Sequence, residues 1–149
     1  MRAVVQRVTE ARVTVDNCVV GEIEHGLLVL LGVEQGDEHK DLIYIADKLV
    51  GLRVFEDENG RMNRSVIESA GSLLIVSQFT LLGDVRRGKR PSFTSAAPPA
   101  QAESMYAALC EHIRAQGIVV EQGVFQADMQ VSLINDGPVT ILLDSRKLF

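Results

Sequence analysis

Apolar residues alternate with polar ones at Val13 and Val15, then run without a break through Leu27, Leu28, Val29, Leu30 and Leu31. Alternation marks a strand with one covered face, and an unbroken run marks a strand covered on both, so the first third predicts antiparallel strands. From Asp37 the spacing changes, with Leu42, Ile43, Ile45, Ala46, Leu49 and Val50 at helical intervals. This predicts a helix to about Leu49, with Asp37 capping the free N–H groups of its first turn. Arg53-Val54-Phe55 predicts a short strand before the turn Asp57-Glu58-Asn59-Gly60, where Asn and Gly tolerate positive φ. A better strand covers 72–77, apolar at Leu73, Leu74, Ile75 and Val76.

Residues 82–99 are irregular and rich in Gly, Pro, Ser and Arg, and a loop of that length in a compact domain is usually functional or disordered. A second helix is predicted over 99–116, with Ala102, Met105, Tyr106, Leu109 and Ile113 on one core-facing stripe and Gly117 as its stop. Beyond it Ala127, Met129, Val131 and Leu133 alternate with Asp128, Gln130 and Ser132, which predicts a strand. Asn135-Asp136-Gly137-Pro138 has the composition of a turn, and 139–143 leads the chain out as a further strand. No repeat, linker or boundary interrupts this order, so a single domain is expected over 1–149. The pattern predicts an α+β fold, a mainly antiparallel, curved, barrel-like sheet with two packed helices.

Composition narrows the function. A chain of 149 residues with 46% hydrophobic content can build a real core. No stretch approaches the roughly 20 apolar residues of a membrane helix, and Met1-Arg2-Ala3-Val4-Val5-Gln6-Arg7 lacks a signal peptide's apolar centre, so a cytoplasmic protein is expected. Cys18 and Cys110 lie far apart in the sequence, outside any C-x-x-C pair, which predicts reduced thiols. The net charge of −5 excludes a generally basic nucleic-acid coat. One local patch remains, Arg86, Arg87, Lys89 and Arg90 with Asp84 nearby, read either as a solvated loop or as an RNA contact.

Spacing alone names no nucleophile, base, metal or cofactor. His25, His39 and His112 have no metal-ligand spacing, and no G-x-S-x-G elbow, phosphate loop or dinucleotide fingerprint is present. Two segments still stand out. Ser77-Gln78-Phe79-Thr80 sets three hydrogen-bonding side chains at the end of an apolar strand, and Asn135-Asp136-Gly137-Pro138 concentrates turn residues. From pattern alone the first is a strand entering a loop and the second a hairpin turn.

Together these segments resemble the D-aminoacyl-tRNA deacylase family over nearly the whole chain. Its signatures are Ser77-Gln78-Phe79-Thr80-Leu81 and Asn135-Asp136-Gly137-Pro138-Val139-Thr140, supported by Val5-Gln6-Arg7-Val8, Arg90-Pro91-Ser92-Phe93 and Ala127-Asp128-Met129-Gln130-Val131. Residues 144–149 lie outside the resemblance. It implies an editing hydrolase without cofactor, acting on D-aminoacyl-tRNA and glycyl-tRNA, mischarged glycyl-tRNA(Ala) included. It also implies a homodimer in which Gly137-Pro138, joined by a cis bond, enters the partner's site, where its carbonyls collide with an L side chain. Ser77, Gln78, Phe79 and Thr80 are then the catalytic segment, with Met129 and Asn135 in support, and Arg7 either fixes the Gly-Pro turn across the dimer interface or is an exposed strand cation.

An aminoacyl ester is already activated and its neighbouring 2′-hydroxyl can assist, so orientation and main-chain donors near Phe79 and Thr80 suffice. Thr80 has no identifiable base, which ranks RNA-assisted hydrolysis above a threonyl intermediate. The competing readings are a non-catalytic module for the tRNA 3′ end and a barrel-like small-molecule binder.

Overall fold

The computed structural model describes residues 1–149. Its organising element is β1 (Arg2–Val15), which changes partner midway. The first half pairs antiparallel with β3 (Gly26–Gly32), from Arg2 opposite Gly32 to Val8 opposite Gly26. The second half pairs with β2 (Cys18–Ile23), from Ala11 opposite Ile23 to Val15 opposite Cys18. Along its other edge β1 is matched antiparallel by β8 (Gln130–Asp144) over nearly its whole length. A strand with two successive partners must bend, and its side-chain parity slips where it does. Ala3 and Val5 face one core, whereas Val8 shares a second core with the odd-numbered Ala11 and Val13. The register accounts for the slip, because Val8 opposes Asn135 while Glu10 opposes the adjacent Ile134, a bulge at Thr9.

The other strands run parallel: β3 with β6 (Ser72–Ser77), and β6 with β7 (Val120–Gln122). Parallel neighbours need long crossovers. Helix α1 (His39–Gly51) and the short hairpin of β4 (Phe55–Glu56) and β5 (Met62–Arg64) lie in the first crossover, and helix α2 (Pro99–Arg114) in the second. Leu42, Ile45 and Leu49 of α1 and Tyr106, Leu109 and Ile113 of α2 pack with Leu27, Val29, Leu31, Leu73 and Ile75. Leu28, Leu74 and Val76 point the other way, against Val8, Ala11, Val13 and Ile23. The unbroken run of leucines is thus explained, since helices cover one face and the folded-over half of β1 and β2 the other. Truncating such a residue, Leu74→Ala for example, costs ~2–5 kcal/mol. On the far side β2 approaches β7 where Gly21 lacks a side chain, and a Cβ there would collide with the Gln122 carbonyl. The sheet is therefore nearly closed into a barrel.

The architecture matches the expected α+β class, but four local expectations change. First, Asp37 does not cap α1. Glu38 is the N-cap, and its N–H donates to Asp41 Oδ2 at 2.8 Å. The Asp37 carboxylate is instead fully buried, accepting the Glu34 N–H at 2.6 Å and pairing with the Met1 ammonium at 2.8 Å. Second, Ala127 and Met129 precede β8 as loop, because the Met129 sulfur folds back to accept the Val124 N–H at 3.4 Å.

Third, α2 ends at Arg114 and β7 follows, a strand of three residues that is too short to show a period. Fourth, Asn135-Asp136-Gly137-Pro138 is no hairpin turn. It lies inside one long strand, because β1 pairs with β8 on both sides of it: Gln6 opposes Thr140 and Val8 opposes Asn135. Residues 136–139 all stand opposite Arg7 alone, so the turn composition produces an excursion without a reversal.

No helix is long and apolar enough to cross a membrane.

Candidate active site

Strands β3 and β6 end together, with Leu31 opposite Ser77. Parallel strands with helical crossovers leave a crevice beyond their carboxyl ends. The Gln78 N–H still donates to the Leu31 carbonyl at 2.7 Å, and the chain then tightens into a 3-10 helix, Phe79–Leu82. The bare Cα of Gly32 makes this tightening feasible, since a Cβ there would press on the buried Leu82. The first N–H groups of such a helix have no intrahelical acceptor. Leu81 donates to the Gln78 carbonyl and Gly83 to that of Thr80, while Phe79 and Thr80 hold the positions with N–H groups unused by any turn or loop bond.

A cavity of about 990 Å³ opens here. One wall is Ser77, Gln78, Phe79 and Thr80, a second is Phe93, Ala96, Ala97 and Ala102, and a third is Phe125, Gln126 and Met129. No ionisable side chain lines it. The Gln78 side-chain amide donates to the Thr80 hydroxyl at 3.0 Å, so the threonine faces an amide and no base. Phe79, 57% exposed, meets Phe93 edge to face with ring centroids 5.0 Å apart, an aromatic pair at the mouth. Behind the wall, the buried Tyr106 hydroxyl donates to the Ile75 carbonyl at 2.7 Å, fixing β6 just before Ser77. Burial pushes the Tyr106 phenol up to about 12, and burial likewise pushes the neighbouring Cys110 thiol up to about 12.

The β8 excursion forms a second constellation. The Arg7 guanidinium, nearly buried, donates to the Asp136 carbonyl at 3.0 Å through Nε and to the Val54 carbonyl at 2.7 Å through Nη1. Asn135 closes the excursion, its Oδ1 accepting the Val139 N–H at 2.7 Å and its Nδ2 donating to Thr140 Oγ1 at 3.2 Å. Gly137 has φ of +140° and the Gly137–Pro138 bond is cis, with both residues exposed.

These residues do not line that cavity. Arg7 lies level with Leu27 and Leu73, four residues short of Ser77, or roughly 13 Å along the strands. Three strand spacings, about 14 Å, separate β8 from β6 across the sheet.

Of the residues singled out in the sequence, Ser77, Gln78, Phe79, Thr80 and Met129 thus converge on one cavity. Arg7, Asn135, Gly137 and Pro138 meet elsewhere. Arg86, Arg87, Lys89 and Arg90 are exposed on the loop that follows the 3-10 helix, outside the cavity lining. Arg86 pairs with Asp84 at 2.6 Å, and its hydrogen bonds hold the Asp84 carboxyl well below the usual range. Arg87, Lys89 and Arg90 have no ion-pair partner. Gln35, Thr94 and Gln126 also line the cavity but gave no signal in the sequence, being single polar residues in loops.

The model of the D-Tyr-tRNA(Tyr) deacylase family matches residues 4–144. A D-aminoacyl-tRNA deacylase of Anaeromyxobacter dehalogenans is 60% identical, and one of Thermotoga petrophila 58% identical, each over 100% of both chains. Among solved structures, a c-Myc DNA unwinding element binding protein superposes with a TM-score of 0.91 at 44% identity, covering 97% of this chain and 98% of its own. A probable eukaryotic D-amino acid tRNA deacylase shares the fold, with a TM-score of 0.80 at 18% identity over 95% of this chain and 97% of its own. With its family matched over almost its full length, the chain belongs to the D-Tyr-tRNA(Tyr) deacylase family and is a hydrolase of the D-aminoacyl-tRNA deacylase kind.

Proposed function

We propose that the cavity at the end of β6 is where the ester of D-aminoacyl-tRNA is cut, and that residues 136–138 of a second copy complete it. The observation that carries this reading is a cavity of apolar and uncharged polar side chains, with no ionisable group, beside two unused N–H groups. Such a site has no proton-transfer residue, yet it can orient an activated ester and stabilise an oxyanion. Water adds to the ester carbonyl carbon, the Phe79 and Thr80 N–H groups hold the developing negative oxygen, and the bond to the ribose oxygen breaks. The terminal 2′-hydroxyl assists the proton movements that no side chain here performs. Ser77 and Gln78 orient the ester, and Met129 supports the opposite wall.

Chirality follows from the excursion. Held by Arg7 and closed by Asn135, the exposed Gly137-Pro138 lies too far from its own cavity to serve it. In a homodimer it enters the partner's cavity, where the carbonyls occupy the position an L side chain would need. A D residue and glycine leave that position empty, so glycyl-tRNA, mischarged glycyl-tRNA(Ala) included, is hydrolysed as well. Backbone suits a steric gate, since a side chain can rotate away for on the order of 1 kcal/mol. Arg87, Lys89 and Arg90 hold tRNA phosphates beside the mouth, with Arg86 largely engaged by Asp84.

Release of amino acid from D-tyrosyl-, glycyl- and L-tyrosyl-tRNA tests this reading. Loss of D-tyrosine and glycine with L-tyrosine retained is the expected result. Equal rates on both enantiomers would remove the steric gate, and tRNA binding without release would leave a non-catalytic module for the 3′ end.

A further inference from the structure

We infer that Arg146, beyond the end of β8, is a positioning residue that holds Gln35 on the rim of the cavity, a role that rests on that cavity being the reaction site. Gln35 lines the cavity, and its exposed side-chain amide makes no hydrogen bond within the chain. Its backbone, by contrast, is clamped on both sides. The N–H donates to the Ser95 carbonyl at 2.8 Å, and the C=O accepts from Arg146 Nη2 at 2.7 Å.

The clamp extends along the rim. Ala97 donates to the Val33 carbonyl at 3.0 Å, and Glu34 pairs with Ala96, so residues 33–35 and 95–97 move as one wall. Three of these, Val33, Ala96 and Ala97, line the cavity with Gln35. Arg146 also reaches Glu34 Oε1 and Asp37 Oδ1, each at 3.3 Å, and so pairs with the buried Glu34 carboxylate while sharing Asp37 with the Met1 ammonium, on either side of the Gly36 turn. Gly36, at φ of +83°, brings the chain back under the guanidinium.

Arg146 is itself fixed. Its N–H donates to Asp144 Oδ1 at 2.9 Å, Ser145 donates to the Met1 carbonyl at 2.9 Å, and the Lys147 ammonium lies 5.6 Å from the centre of the Tyr44 ring. Serving three acceptors at once uses the planar fork of a guanidinium, which a lysine ammonium does not reproduce.

The Ser77-to-Thr80 segment is anchored by Leu31 and by the seat of Leu82 against Gly32, and the wall joins it beyond Thr80, where the Ser95 hydroxyl donates to the Leu82 carbonyl at 3.1 Å. Losing Arg146 therefore loosens the binding wall and spares the donors. A substrate must then order residues 33–37 as it binds, which weakens its apparent affinity without slowing the chemical step.

Steady-state kinetics on D-tyrosyl-tRNA test this with Arg146→Ala, Arg146→Lys, Gln35→Ala and the double alanine variant. KM is expected to rise roughly three- to ten-fold in Arg146→Ala, with kcat changed less than about two-fold. Gln35→Ala should show a similar rise, Arg146→Lys should recover only part of the loss, and the double variant should be no worse than the worse single one. Amide exchange at Gln35 and Ala97 should quicken in Arg146→Ala while exchange in β6 stays unchanged. An unchanged KM in a folded Arg146→Ala, or effects that multiply in the double variant, would overturn the positioning role. A wild-type protein that releases no D-tyrosine would instead overturn the reading of the cavity itself.

Discussion

The Gln78 side-chain amide points at the Thr80 hydroxyl from 3.0 Å, and nothing in the cavity around them can take a proton at neutral pH. A threonine nucleophile needs a base within hydrogen-bond reach. Thr80→Ala is therefore expected to keep hydrolysis within about ten-fold of wild type, because the N–H group remains. Replacing the terminal 2′-hydroxyl of the tRNA with hydrogen should reduce turnover far more. An inactive Thr80→Ala with an acyl group trapped on the wild-type threonine would reverse the assignment.

The excursion of β8 offers a test of the composite site. A Cβ on Gly137 would stand 2.7 Å from Val139 Cγ2 and 3.0 Å from the Val139 nitrogen, at a φ that L residues rarely adopt. Gly137→Ala should move the neighbouring carbonyls and lower D-specific activity at least ten-fold in a folded chain, about 1.4 kcal/mol or more at the barrier. Heterodimers extend the test. One subunit carries Gly137→Ala and the other an altered Ser77-to-Thr80 segment. If the excursion serves the opposite subunit, the only intact cavity faces the altered excursion and normal activity is missing. Half the wild-type rate with full selectivity would show that each subunit uses its own.

On the basic loop, Arg86 is already paired, so its neighbours should carry the RNA affinity. Arg87→Glu with Arg90→Glu is expected to weaken tRNA binding and to flatten its salt dependence, the logarithmic slope falling by roughly one for each phosphate no longer neutralised. Arg86→Ala should do less. The ratio of D to L rates should not move in either variant, because a cation on a phosphate positions a substrate without reading its amino acid. Filter binding at several salt concentrations measures this.

Behind β6, Tyr106 and Cys110 make an alkaline prediction. Burial raises both groups to about 12, from ordinary values of 10.0 and 9.0. The folded state thus favours their protonated forms. Stability is fully present below the unfolded values and is lost as pH rises through the folded ones. Chemical denaturation should give a constant stability up to about pH 9 and a decline toward pH 12. Tyr106→Phe with Cys110→Ala should flatten that decline while lowering stability at neutral pH, since the variant lacks a hydrogen bond and some packing. A decline of equal slope in the double variant would locate its cause elsewhere.

Much of the fold is legible in the sequence because burial leaves a period. Leu27 to Leu31 and the stripe from Ala102 to Ile113 report strands and helices faithfully, as their surroundings are apolar on known sides. Strand direction is not legible: a strand buried on both faces has one pattern whether its neighbour runs parallel or antiparallel. Asp37 departs from its expected place because a carboxylate before a helix suits a cap and a buried ion pair alike. The composition of Asn135 to Pro138 correctly says that the backbone leaves the sheet, yet composition does not encode whether the chain then turns back. Ser77 to Thr80 stand out in the sequence as a polar strand end, but only the family ties them to chemistry, since the main-chain N–H donors proposed for them leave no mark in residue types. Gln35 and Gln126 leave none either, for they enter the cavity only through the packing of distant loops.

The grip of β1 on both sides of the β8 excursion has a consequence for how the molecule can change. Register is set independently before and after it, by Val8 opposite Asn135 and by Gln6 opposite Thr140. A one-residue slip in an ordinary strand pair turns every side chain beyond it to the wrong face. Here a change at the exposed Gly137 or Pro138 leaves both registers in place, and Val139 keeps its seat in the first core. The frame on either side of the excursion is thus set without reference to the excursion itself, so changes in the proposed gate act on the gate and leave the barrel as it is.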